Sequence, residues 1–184
     1  MAELLRTNRA VLTVSIPTWT GKGGIGMILS FDLDGGIAGT DNGLLNLLHM
    51  QACRMEGNEG AFHYLQQYYA RRPLILDPRS LTGPGDEYHI ITGRVPSAHA
   101  ITKKWVKHWL GPEPVLNLHL VGTARVEKMF EKGETDKASI ELGRSKLRVI
   151  HYIKAQVHFD NNPLIVAYLR SQDVTSVLVG GGLL

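Results

Sequence analysis

Apolar residues fall along this chain in two rhythms. Short apolar runs bounded by Gly, Pro or Asn alternate with longer stretches whose apolar positions recur every three or four residues. These are the spacings of strand and amphipathic helix. Residues 10–16 (AVLTVSI) and 27–32 (MILSFD) read as strands, separated by the turn-rich PTWTGKGG. Residues 43–55 and 60–71 have helical spacing, broken at Gly57. A strand over 87–92 (EYHIIT) follows, then a helix over 97–110 with Ser97 as its N-cap and Gly111 as its stop. The pattern continues with a strand over 115–122 and a helix over 137–155 weakened at Gly143. A strand over 155–160, a helix over 163–172 opened by Pro163 and a strand over 174–180 complete it. From residue 87 onward strand and helix alternate, which predicts a mostly parallel sheet with helices on both faces. There is no internal repeat and no low-complexity tract.

In such a sheet, ligands bind in the crevice outside the carboxyl ends of the strands. Three predicted strand ends are rich in polar groups: Asp32 and Asp34; Thr92, Gly93 and Arg94; Asp160, Asn161 and Asn162. Carboxylates converging from separate strands repel one another unless a cation stands between them. Asp32 and Asp160 therefore suit a hard, oxygen-liganded ion, Mg²⁺ above all. Such an ion binds a phosphate oxygen and neutralises charge as a phosphoryl group transfers. Thr92 is placed to hydrogen-bond a phosphoryl oxygen, and Lys146 to supply a fixed positive charge. Asp32 suits a nucleophile forming an aspartyl-phosphate, with Asp34 protonating the leaving oxygen and then activating water.

Composition narrows this picture. The chain has 184 residues, enough for one domain with a modest insertion, and its 43% hydrophobic and 20% charged residues are ordinary for a globular protein. A formal charge of +3 is compatible with phosphorylated substrates, and a solvated surface explains it equally well. The single cysteine, Cys53, rules out an internal disulfide and suits a reducing compartment. The apolar runs fall short of the ~20 residues of a membrane span, and the N-terminus lacks the layout of a signal peptide. The expected setting is cytoplasmic, away from membranes, as a monomer or homodimer.

Taken together, four motifs resemble those of the haloacid dehalogenase superfamily of phosphohydrolases, in that family's order, over roughly residues 27–180. SFDLDGG resembles the first motif and implies Asp32 as nucleophile and Asp34 as general acid and base. HIITGR resembles the second and implies phosphoryl binding at Thr92 and Gly93. SKLRVIHYI resembles the third and implies Lys146 beside the phosphoaspartate; VHFDNNP resembles the fourth and implies Asp160 as a Mg²⁺ ligand. Asp160 stands 14 residues beyond Lys146, as the resemblance expects, whereas Lys137 stands 23 before it. The family also uses the nucleophile and the backbone carbonyl at the Asp34 position as metal ligands. Two positions depart from its pattern. Gly36 replaces a common Thr or Val and is expected to loosen the loop. Asn161 replaces a common second acid and brings no charge, though it can hold a metal-bound water.

The resemblance implies a three-layer, Rossmann-like α/β core over residues 1–42 and 80–184, with a small helical cap inserted at 43–79. A small cap leaves the crevice open, which the family associates with larger substrates or with a partner acting as the lid. It implies a Mg²⁺-dependent phosphatase, with a nucleotide or a nucleic-acid 3′-phosphate as the first substrate class to consider. A non-catalytic module holding a phosphorylated ligand or a partner, and a phosphotransferase, stay open as alternatives. Dehalogenation fits less well, because Asp34 has no role when the leaving group is a halide.

Other signals have plainer readings. TGKGGIG (20–26) precedes a strand and lacks the Ser or Thr of a phosphate loop, so it reads as a turn. His89, His99, His108, His119, His151 and His158 show no zinc-ligand spacing. Phe62, Tyr64, Tyr68, Tyr69, Arg71 and Arg72 offer stacking and charge for a nucleic-acid base, and read more simply as core with a solvated edge. Lys103, Lys104 and Lys107 with Trp105 and Trp109 predict a helix with its tryptophans inward.

Overall fold

The computed structural model describes residues 26–39 and 59–180. The predicted strand at 10–16, the helix at 43–55 and all of TGKGGIG except Gly26 lie outside these residues. Five strands form one sheet: β1 (Ile28–Phe31), β2 (Glu87–Thr92), β3 (Leu118–Leu120), β4 (Val157–Asp160) and β5 (Ser176–Leu178). Their order is β3-β2-β1-β4-β5 and every pairing is parallel. The helices are α1 (Glu59–Ala70), α2 (His99–Leu110), α3 (Ala124–Glu131), α4 (Thr135–Ile153) and α5 (Pro163–Arg170). None is long and apolar enough to cross a membrane.

Helices cover both faces because the strands are apolar on both. Ile90 and Ile91, consecutive on β2, point opposite ways. Ile90 joins Leu29, Phe31 and Phe159 under Trp105, Val106 and Leu110 of α2. Ile91 joins a second core with Val126 of α3, Leu142 and Ile150 of α4, and Ile165 and Leu169 of α5. This is the α/β, Rossmann-like layering that the alternation predicts. At the centre of the first core, Phe31 and Phe159 stack across the β1–β4 pairing, ring centroids 4.6 Å apart and planes within 6°.

Of the stretch predicted as an inserted cap, residues 43–58 fall outside the described chain. Helix α1 packs Leu65, Tyr68 and Tyr69 against Val95, Ala98 and Ile101 at the start of α2. The chain after it returns to the core: Leu74 bridges Ala38, and Ile75 N–H donates to Ile37 O across 2.8 Å.

Several local expectations need correction. Ser97 does not cap α2; Pro96–Ala98 forms a 3-10 turn first, and the helix opens at His99 without a side-chain cap. The strand expected from 115 begins at Leu118, because Glu113–Val115, flanked and interrupted by Pro112 and Pro114, also turns as a 3-10 helix. Trp105 is buried, but Trp109 is 38% exposed and meets His108 edge-on. Helix α3 was not predicted: it is short, and its signal is confined to the Thr123 cap, which accepts from Val126 N–H, and to apolar Val126, Met129 and Phe130. Helix α4 runs unbroken through Gly143, and Asn162 caps α5 directly before Pro163.

The stacked phenylalanines yield a stability test. Phe31→Ala is expected to cost about 3–5 kcal/mol in urea unfolding, with a similar cost for Phe159→Ala. Because the two share one contact, the double variant should lose less than the sum of the singles.

Candidate functional site

The sheet order reverses direction at β1, with β2 on one side and β4 on the other, and a ligand crevice lies beyond the strand ends at such a reversal. Asp32 follows β1 there and Asp160 ends β4. Asp32 N–H donates to Phe159 O across 2.7 Å, extending the pairing past the end of β1. Alternation then sets the facing. Leu29, Phe31 and Phe159 belong to the α2-side core, so Ser30, Asp32, His158 and Asp160 face α4. Lys146 of α4 meets them, its Nζ 2.6 Å from Asp32 Oδ1 and 2.7 Å from Asp160 Oδ2. Asp32, Lys146 and Asp160 are 6%, 1% and 1% exposed.

His158 and Ser30 complete the floor of the site. His158 Nε2 lies 3.1 Å from Asp160 Oδ2, and Nδ1 lies 2.9 Å from Ser30 Oγ. Burial above all, with Lys146 adding to it against the pull of Asp160, lowers the pKa of His158 and keeps its ring neutral. An ionised carboxylate only accepts. The hydrogen-bond pattern therefore assigns the ring proton to Nε2, with the Ser30 hydroxyl donating to Nδ1.

Charge is shared unevenly across this floor. Burial disfavours ionisation of Asp160, but Lys146 and His158 overcome it and hold the carboxyl well below the usual range. Burial likewise opposes the charge of Lys146, and Asp160 with Asp32 overcomes it, raising the lysine above its ordinary pKa. Asp32 differs. Burial, reinforced by Asp160 and Asp34, outweighs Lys146 and pushes its pKa up to about 7. Asp32 is the under-neutralised member of the group.

Asp34 sits in a closed loop after β1. Ala38 N–H donates to Leu33 O and Gly35 N–H to Ala38 O, each across 2.7 Å, and Ile37 N–H reaches Asp32 O at 3.2 Å. Gly35 has a φ of +90°, and a side chain there would overlap the Asn161 amide; one at Gly36 would collide with the Asp32 carbonyl. Gly36 therefore lets the loop close tightly, where the sequence suggested loosening. Across the crevice, Arg94 grips Asp34 with two parallel bonds, Nε to Oδ2 at 2.8 Å and Nη2 to Oδ1 at 2.6 Å. Its Nη1 donates to Thr102 Oγ1 at 3.1 Å, and its plane lies 3.7 Å over the Tyr69 ring. Arg94 is only 1% exposed. Burial, mainly, raises the pKa of the Tyr69 phenol well above its usual value.

Of these groups Asp32, Asp34, Tyr69, Arg94, Lys146 and Asp160 line a cavity of about 310 Å³, together with the apolar Phe130, Leu142 and Ile165. Of the residues singled out from sequence, Asp32, Asp34, Gly93, Lys146, Asp160 and Asn161 all line it. Thr92 does not reach the wall. It is wholly buried, and its Oγ1 accepts from Arg94 N–H at 3.3 Å, so it braces the arginine. Lys137 pairs with Glu134 at the surface, leaving Lys146 as the lysine of the site. Tyr68 and Tyr69 are buried as core, and Arg72 lies over Tyr68 at 3.7 Å; the side chains of Phe62 and Tyr64 fall outside the described residues. Of the histidines, His89 and His119 hydrogen-bond to each other at 3.0 Å on the neighbouring strands β2 and β3.

Sequence reasoning gave no role to Arg94, His158, Ser30 or Ser139, and placed Tyr69 only in an aromatic cluster suited to base stacking or core. Two of these had a readable signal: Ser30 and His158 each precede a site aspartate by two residues, hence share its face of a strand. Ser139 lies on the cavity wall with Lys146, two helical turns before it on α4, and its Oγ accepts from Asn162 Nδ2 at 3.0 Å, tying α4 to α5.

The donors here suit a hard cation in chemistry: carboxylates and an amide, with the four acids Asp32, Asp34, Asp136 and Asp160 set against one ammonium and one guanidinium. The excess negative charge rests on Asp32, of which Lys146 uses only Oδ1. Lys146 stands where the two strand-end acids converge, and among the described residues no three His, Cys, Asp or Glu side chains form a ready-made cage. A cation would therefore share Asp32 with the lysine and complete its coordination with water. No protein-family model matches the chain, and no curated protein matches it.

The charge pattern gives a pH-dependent test. An acid whose pKa rises on folding, from an ordinary 3.8 to about 7, contributes its full stability only below pH 4 and loses it as pH rises through 7. Asp32→Asn, uncharged throughout, should melt above wild type at pH 8 by on the order of 1 kcal/mol, roughly 2–4 °C, and the gap should close toward pH 4. Asp160→Asn should act oppositely and lose about 3–5 kcal/mol at pH 8, because Lys146 is left short of buried counter-charge.

Proposed function

We propose that the chain is a Mg²⁺-dependent phosphohydrolase that works through an aspartyl-phosphate on Asp32. The observation that carries this reading is the placement of Asp32: on the cavity floor at the sheet's reversal point, against the Lys146 ammonium, and under-neutralised by it. A carboxylate in that state is suited to carry a phosphoryl group, whose charge the ammonium then helps to balance. The order of motifs resembling the haloacid dehalogenase superfamily supports the same reading.

In this mechanism a carboxylate oxygen of Asp32 attacks phosphorus and the ester P–O bond breaks, with Asp34 giving the departing oxygen its proton. Asp34 then takes a proton from water as that water attacks the aspartyl-phosphate, releasing phosphate and restoring Asp32. Lys146 stays protonated through both steps and balances charge on Asp32 and the phosphoryl oxygens. Gly93 lies on the wall, where its main chain would bind the phosphoryl group, and Thr92 holds the adjoining Arg94 in place. Asp32 and Asp160, the carbonyl of Asp34 and, through water, Asn161 would hold Mg²⁺, which when bound neutralises charge on the transferring group. The substrate is a phosphomonoester, with nucleotides and nucleic-acid 3′-phosphates the first class to test.

A second reading, a non-catalytic module that holds a phosphorylated ligand, is favoured by Asn161 and by the closed Arg94–Asp34 pair. Turnover separates the two. Phosphate release from nucleotides, sugar phosphates and 3′-phosphorylated oligonucleotides is expected to require Mg²⁺, to stop with chelator, and to fall at least about a thousandfold in Asp32→Asn. Folded wild type that turns over no substrate in the panel would favour the binding module. Transfer to added alcohols in place of water would mark a phosphotransferase.

A further inference from the structure

The Arg94–Asp34 pair creates a difficulty that the mechanism above leaves open. Both oxygens of Asp34 point at one guanidinium, so neither is turned toward a leaving group. With the guanidinium on both oxygens, Asp34 has only its outer lone pairs left for a reacting oxygen, and proton transfer is favoured when one of its oxygens is released.

The guanidinium itself is under-used. It has five N–H donors, and three are engaged: Nε and Nη2 on Asp34, Nη1 on Thr102. One N–H on each terminal nitrogen has no partner among the described residues. A cation buried this deeply normally has its donors satisfied, yet Arg94 lines the same cavity as Asp32 and Lys146. Stacking on Tyr69 and the bond to Thr102 hold its plane from below and from the side. Arg94 thus stays in place when Asp34 moves, with its planar fork presented to the cavity.

We propose that Arg94 is a phosphoryl-binding residue and that the ligand's phosphoryl oxygens replace Asp34 on its fork, freeing Asp34 for the leaving group. This rests on the phosphohydrolase reading and assigns the ground-state partner of its acid. Phosphate matches the fork as well as carboxylate does. The exchange leaves the buried guanidinium paired at every stage, which avoids the cost of an uncompensated charge. It also ties the release of Asp34 to occupancy, so the acid is positioned only when a phosphoryl group is bound.

The test is calorimetric titration of inorganic phosphate, with Mg²⁺ present, into wild type, Asp34→Asn, Arg94→Lys and the double variant, each checked for folding by circular dichroism. Asp34→Asn removes the internal competitor, so phosphate should bind roughly ten- to hundredfold more tightly than to wild type. A general electrostatic gain from deleting one negative charge would survive in the Arg94→Lys background, which keeps the charge and loses the fork. The proposal requires that the gain largely disappear there. Acetate also fits a vacated fork, so it is the control on wild type: phosphate should displace Asp34 there at concentrations where acetate does not, and acetate binding wild type as tightly as phosphate would overturn the assignment to a phosphoryl group. Should Arg94→Lys fail to fold, the Arg94 Nε–H resonance of wild type, assigned through the folded Arg94→Gln or Thr102→Val spectra, must shift on phosphate titration.

An unmoved resonance, or phosphate binding that is equal in wild type and Asp34→Asn, overturns the proposal. With turnover of a phosphomonoester intact, that result leaves the phosphohydrolase reading standing. No phosphate binding to any of the folded proteins, together with no turnover, overturns both.

Discussion

One ammonium group makes the centre of this molecule possible. Lys146 Nζ lies within 2.7 Å of two buried carboxylates contributed by strands that are neighbours in the sheet and remote in the chain. Without it, two like charges would face each other out of water, at a cost that a marginally stable domain does not tolerate. The arrangement constrains much of the fold: β1 beside β4, α4 lying across their ends, and a helix register that brings Lys146 inward. Ser30 and His158 satisfy what the lysine leaves over. The compensation stops short of complete, and the deficit falls on Asp32, the residue best placed to carry chemistry.

A second ion pair stands on the cavity wall and obeys different physics. Lys146 is a point charge shared by two acids, whereas Arg94 is a plane that engages both oxygens of one. The first pair joins a helix to two strands and holds the floor. The second joins the loop after β1 to the end of β2. The apolar stack of Phe31 and Phe159 lies on the opposite face of the sheet from the floor residues, so that the polar groups have a rigid layer behind them.

What could be read from sequence followed from local geometry. Short apolar runs put Asp32 and Asp160 at strand ends, and the interval to Asp160 that the family resemblance implies separated Lys146 from Lys137. The covering of both sheet faces was legible because strand and helix alternate from residue 87 onward. The pairing of Arg94 with Asp34 was not legible: the two are 60 residues apart, and which acid an arginine meets depends on how loops close in space. The inward turn of Thr92 was not legible, because position at a strand end does not say which way a hydroxyl turns. Helix α3 was missed since eight residues offer barely two turns of periodicity, and Trp109 because a helix edge and a helix face differ by less than one turn.

The separation of Asp32 from Lys146 has a consequence for how the chain comes to life on the ribosome. Asp32 leaves the exit tunnel 114 residues ahead of the cation that neutralises it, and 128 residues separate Asp32 from Asp160. The half-sheet of β1, β2 and β3 is built from contiguous chain and can pair early, but its edge strand β1 then leads into an acid that must stay wet. Only when α4 and β4 emerge does that edge acquire its neighbour and its counter-charge together. The β1–β4 seam in the middle of the sheet thus closes late in synthesis, ahead only of β5 at its edge, and the edge of β1 stays open until then.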